Sequence, residues 1–204
     1  MRWETDLIRD IRTHSGFDDF DWNDGRIPRP SPWPPAIEVS DESRAALLDK
    51  FMMVRDNCPA ILEIGIGRPW NKDQTHTNIL LTHKHPDTVY IGLDIEDRSW
   101  LNDPSKNIHT LVANSVNVQD NIERFKSLGV TEFGMIFIDG WHSINNVLTE
   151  WEYTQLLVPH GMVGFHDITE HPGPHYFIRA LNTEKWNVEM HNPWDYGIGF
   201  AWRK

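Results

Sequence analysis

The sequence predicts an α/β fold: a doubly wound, Rossmann-like seven-stranded sheet, mostly parallel, with an antiparallel C-terminal hairpin. Three observations carry this expectation. Short apolar runs recur between residues 60 and 165, separated by longer stretches with helical character. Runs of this kind suit parallel strands that helices cover on both faces. The last two runs, at 186–190 and 198–202, are joined by Asn192, Pro193 and Gly197 with no helix between them.

Taken in order, residues 1–36 read as a Pro/Trp-rich arm and residues 37–204 as the domain. Residues 28–35 hold five of the 13 prolines, which excludes helix or central strand and favours an extended path. Trp3, Phe17, Phe20, Trp22 and Trp33 are anchors for packing on the same domain or on a neighbour. A homodimer through this arm is the expectation. Ser40 and Ser43 open an amphipathic helix with apolar positions Ala45, Leu47, Leu48, Phe51 and Met52. Strands are expected at 60–64, 89–93, 108–112, 133–138 and 162–165, with helices near 75–84, 118–128 and 144–157. Pro172 and Pro174 read as breakers that leave the segment after the fifth strand an irregular loop.

Composition narrows the function. With 19 basic and 30 acidic residues the formal charge is −11, and no Lys/Arg block exists to grip a nucleic-acid backbone. The first ten residues are too charged for a signal peptide. No apolar run approaches the roughly 20 residues that a membrane helix needs. The single cysteine, Cys58, excludes an intrachain disulfide and a multi-cysteine zinc site. The expectation is a soluble cytoplasmic protein with neither a nucleic-acid nor a membrane partner.

In sheets of this kind ligands sit beyond the carboxyl ends of the strands, so chemistry is sought there. After the first strand come Glu63, Gly65 and Gly67; Trp70 occupies the third glycine position of a dinucleotide fingerprint, which weakens that reading. Glu63 suits a ligand's positively charged amino group, or is a solvated strand-end carboxylate. Asp94, at the second strand end, can accept from both hydroxyls of a ribose. Asn114 and Ser115 follow the third strand and can reach an adenine edge or cap a helix. Asp139 and Asp167 end the fourth and fifth strands. Two neighbouring carboxylates repel unless a cation or a shared proton compensates, and a hard divalent ion, Mg²⁺ before zinc, is the natural answer. His142 is placed to act as a general base; the plainer alternative makes Asp139 a helix cap and His142 a surface imidazole. An iron site at His166, His171 and His175 is disfavoured, because adjacent side chains such as His166 and Asp167 diverge in extended chain.

The segments 62–67, 91–94, 137–143 and 165–167 together resemble class I S-adenosylmethionine-dependent methyltransferases. More narrowly they resemble the branch of macrolide-sugar O-methyltransferases and cephalosporin-hydroxylase-like proteins, over roughly residues 58–203. The resemblance implies methyl transfer to a hydroxyl of a small molecule or sugar. It implies S-adenosylmethionine contacts from Glu63, Gly65, Gly67, Asp94, Asn114 and Ser115. Asp139 and His142 become the catalytic pair, and Asp139, Asp167 and His166 the ligands of a divalent metal, Mg²⁺ first. Sugar-modifying members carry Glu-Asp where this chain has His166 and Asp167, so His166 is either a substitute ligand or none. Trp141 stands where an acidic residue is common. Trp70, Trp141 and Trp194 would suit the rim of an acceptor pocket. The alternatives are a non-catalytic nucleoside- or partner-binding domain of the same fold and, on the weaker fingerprint, a nicotinamide-dependent oxidoreductase.

Overall fold

The computed structural model describes residues 39–67, 75–169, 171–191 and 196–204. The arm at 1–36, Trp70 and Trp194 lie outside the described residues.

Apolar runs rich in Ile, Val, Leu and Phe form strands at the expected places: β1 (Ala60–Ile64), β2 (Val89–Asp94), β3 (Ile108–Val112), β4 (Phe133–Ile138), β5 (Leu157–His166), β6 (Trp186–His191) and β7 (Ile198–Arg203). Only β5 departs noticeably, starting at Leu157 rather than Met162. The sheet order is β3-β2-β1-β4-β5-β7-β6. Strands β1 to β5 pair in parallel, whereas β7 inserts antiparallel between β5 and β6. Chain order reverses between β1 and β4, the kind of point at which sheets of this type bind ligands.

Helices α1 (Asp41–Val54) and α2 (His76–His83) cover one face; α3 (Val118–Ser127), α4 (Ile144–Glu150) and α5 (Pro172–Ala180) cover the other. Because successive strand residues face opposite sides, Ile61 and Met135 pack under α1 and α2 while Leu62 and Ile136 face the second layer. Ser40, Thr75 and Ser143 cap α1, α2 and α4, each accepting a bond from the amide three residues on at 3.0–3.2 Å. The helix expected at 144–157 tightens into a 3₁₀ turn at Trp151–Leu156. There the buried Trp151 indole packs on Phe165, Phe177 and Trp186, with ring centroids 4.8–5.9 Å apart.

One expectation is overturned. The segment after β5 is not an irregular loop: α5 starts at Pro172 itself. Proline at the first helical position lacks only an N–H that would have had no intrahelical partner, and its φ already suits a helix.

Candidate active site

At the switch point the ends of β1 and β4 come into backbone contact. The Asp139 amide donates to the Ile64 carbonyl at 2.8 Å, and the Gly65 amide to Leu93 at 2.9 Å. Gly65 has φ +80°, and a Cβ there would lie 2.0 Å from the Asp139 carbonyl oxygen. Only glycine permits this approach.

Asp139 then meets two imidazoles. Its Oδ1 lies 2.9 Å from His166 Nδ1, at the end of β5, and its Oδ2 lies 3.7 Å from His76 Nδ1, at the start of α2. Burial pushes the Asp139 carboxyl up, but the charge and hydrogen bonding of His166, with help from His76, hold it well below the usual range.

On the other side of His166, Asp167 Oδ1 lies 3.3 Å from the same Nδ1. His166 and Asp167 therefore converge, against the expectation that they diverge. The reason is local: Asp167 adopts φ +62°, the left-handed region, so the extended alternation ends at His166. Asp167 Oδ2 forms an ion-pair contact with His142 Nε2. Burial lowers the His142 pKa, but the bond and charge of Asp167 outweigh it and raise the group above its ordinary value. The His142 ring stacks on His171, centroids 4.1 Å apart and planes 15° apart. Gly173 donates to the His142 carbonyl at 3.0 Å, and a Cβ on Gly173 would lie 2.2 Å from that oxygen, so α5 clamps the segment that carries His142. The structure thus brings Asp139, His142, His166 and Asp167 together. His175 turns away, with Nδ1 on the Ile168 carbonyl at 2.8 Å.

The other expected residues line the first three strand ends. Glu63 is sealed, 1% exposed: it accepts from the Thr77 hydroxyl at 2.6 Å and from the Tyr90 hydroxyl. It is not a solvated carboxylate; burial pushes its pKa up to about 8. Thr77 Oγ1 also accepts from the Gly67 amide at 2.8 Å, so Glu63 reaches the glycine loop through Thr77. Asp94 Oδ2 accepts from the Ile66 amide and from Arg98 Nε, both at 3.0 Å, and Oδ1 from the Glu96 amide at 2.8 Å. Of roughly four acceptor positions on a carboxylate, these bonds leave one, on Oδ1. The Asn114 side chain caps its own turn, accepting from the Val116 amide at 3.1 Å. The Ser115 hydroxyl donates to Glu150 Oε1 at 2.6 Å. Trp141 is 54% exposed beside His142.

Sequence reasoning missed His76 and Glu150. His76 directly follows the helix cap Thr75, at the end of the glycine loop. Glu150 is a carboxylate within an apolar helix face, a pattern that could have flagged it; burial raises its pKa to about 7. Among the described residues, two groups offer ligand atoms all within 4.8 Å of one another: His76, Asp139 and His166, and His142, Asp167 and His171. Carboxylate oxygens and imidazole nitrogens are both donors to divalent cations, so the residues fit one.

The fold built on this sheet, with β7 alone reversed, is similar to that of solved methyltransferases. MycE methyltransferase from the mycinamycin biosynthetic pathway, solved with Mg, SAH and mycinamycin VI, matches at TM-score 0.55 and 16% identity. That match covers 78% of this chain and 48% of MycE, so the chain spans about half of MycE's length. CalS11, a TDP-rhamnose 3'-O-methyltransferase of calicheamicin biosynthesis, matches at TM-score 0.58 and 11% identity over 81% of each chain. A methyltransferase from Geobacter sulfurreducens matches at TM-score 0.56 and 12% identity, over 82% of this chain and 81% of its own. No family model matches the sequence, and no curated protein does either.

Proposed function

We propose that this chain is an S-adenosylmethionine-dependent O-methyltransferase acting on a hydroxyl of a small molecule or sugar. The observation that carries the reading is the His142–Asp167 pair beside the Asp139–His166 pair, at neighbouring strand ends of a methyltransferase fold. S-adenosylmethionine, when bound, supplies the methyl group and leaves as S-adenosylhomocysteine. Asp139, His166 and Asp167 would hold a divalent cation, whose contribution is Lewis-acid polarisation of the acceptor hydroxyl.

His142 removes the proton. With Nε2 committed to Asp167, Nδ1 is the atom that accepts it, and the Asp167 charge steadies the resulting imidazolium. The α5 clamp on the His142 backbone holds that nitrogen in one place, which is what proximity catalysis requires. Gly65 and Gly67 let the loop pass close to Asp139 and Thr75, and that loop faces the methionine moiety. Glu63 acts on this loop through Thr77 rather than by touching the ligand's amino group. Asp94 offers its remaining Oδ1 position to the ribose, and the Asn114–Ser115 turn flanks the adenine.

The test is calorimetry with S-adenosylhomocysteine, followed by methyl transfer to a panel of hydroxylated acceptors that includes nucleoside-diphosphate sugars. Micromolar binding and a methyl ether product support the reading. Absence of binding, with and without a divalent cation, overturns it, and binding without turnover across the panel favours a non-catalytic domain.

A further inference from the structure

We propose that His76 completes a metal centre with Asp139 and His166, and that this centre prefers a borderline transition ion of the zinc, cobalt(II) or iron(II) type to Mg²⁺.

The argument begins with an imidazole whose needs the protein does not meet. The His76 side chain is 1% exposed, and among the described residues neither ring nitrogen has a hydrogen-bond partner. Its ring packs edge-on against Phe137 and His166, at centroid distances of 5.0 and 4.5 Å. Structural histidines in this same chain look different: His175 and His83 place Nδ1 on backbone carbonyls at 2.8 and 3.0 Å. A buried ring with both nitrogens unmet is costly unless something else meets them.

The neighbour that His76 faces is a carboxylate. Its Nδ1 lies 3.7 Å from Asp139 Oδ2, too far for a hydrogen bond. That spacing does suit two atoms bound to one ion: ligands about 2.1 Å from a metal lie roughly 3.0–4.2 Å from each other. His166 Nδ1, 2.9 Å from Asp139 Oδ1, is the third donor, and the set lies within 4.8 Å. Three elements supply it: the start of α2, the end of β4 and the end of β5.

Donor chemistry decides the ion. Mg²⁺ favours oxygen and retained water, whereas imidazole favours zinc, iron and their neighbours. Two imidazoles to one carboxylate therefore rank the transition ions first. Asp167, 3.3 Å from His166 Nδ1, can add an oxygen while keeping its contact with His142. Hydroxyl polarisation, the use of this ion, rests on the methyltransferase reading; its binding does not.

The test uses the full chain stripped with chelator and titrated with Co²⁺, following visible d–d absorption, with Mg²⁺ and Zn²⁺ as competitors. The expected result is a Co²⁺ band that Zn²⁺ abolishes and millimolar Mg²⁺ leaves in place. His76→Ala and His76→Gln should weaken Co²⁺ binding by more than about tenfold, the loss that even outer-shell partners of a ligand produce. X-ray absorption of the Zn²⁺-loaded wild-type protein, which involves no variant that could misfold, should count at least two imidazole ligands. No Co²⁺ band, displacement by Mg²⁺ at matching concentration, unchanged binding in folded His76 variants, or fewer than two imidazoles would each overturn the proposal. S-adenosylhomocysteine calorimetry on the same samples reports on the methyltransferase reading separately.

Discussion

His142 turns its Nε2 onto Asp167 Oδ2, joining the loop after β4 to the residue that follows β5. The imidazole and the carboxylate thus come from the ends of adjacent parallel strands, and α5 fixes the His142 backbone from outside.

Replacing His142 by Ala is expected to lower turnover about 10²-fold or more, the usual scale of general-base catalysis. Binding of S-adenosylhomocysteine, measured by calorimetry, should persist. Turnover close to wild type would remove His142 from its role.

Gly65→Ala forces a Cβ against the Asp139 carbonyl in a backbone conformation that alanine resists. A loss of about 2 kcal/mol or more is expected, read from the urea midpoint. Divalent-cation affinity should fall with it, because the clash moves Asp139; full stability would mean that β1 and β4 can separate without penalty.

Glu63 gives a pH signature. Its folded pKa, about 8, lies above the ordinary carboxylate value, so unfolding at neutral pH releases a proton. The stability it contributes is complete below the unfolded pKa and is lost as pH rises towards 8. The loss runs at up to about 1.4 kcal/mol per pH unit. In Glu63→Gln that slope should vanish, so the variant gains on wild type between pH 5 and pH 8 in denaturant melts. A constant difference across that range would refute the assignment.

Trp151→Ala empties the space among Phe165, Phe177 and Trp186. A cost of about 3–5 kcal/mol is expected by chemical denaturation. A cost below about 1 kcal/mol would mean that α4 and α5 collapse into the space without strain.

Much of this was legible in the sequence because strand periodicity and strand-end motifs are local signals. The runs at 60–64, 108–112 and 133–138 became strands with the expected bounds. Asp139, His142 and Asp167 were findable because parallel neighbours place their carboxyl ends together. What stayed hidden depended on contacts between distant segments or on one backbone angle. His76 gains meaning only when α2 is packed beside β4. Glu63 is sealed by Tyr90 from β2 and Thr77 from α2, neither of them within reach in sequence. Pro172 is a breaker or a helix start according to its position relative to the first turn, which composition does not disclose.

The left-handed residue at Asp167 also makes segment length a functional variable. Side-chain direction along β5 alternates up to His166, and the single turn at Asp167 brings the next side chain back to the same site. Removing or adding one residue between Phe165 and Ile168 would swing one of the two groups out of the site, even with every remaining residue unchanged. This stretch should therefore tolerate conservative exchange of neighbouring side chains better than any change in residue count, the reverse of ordinary behaviour in surface loops.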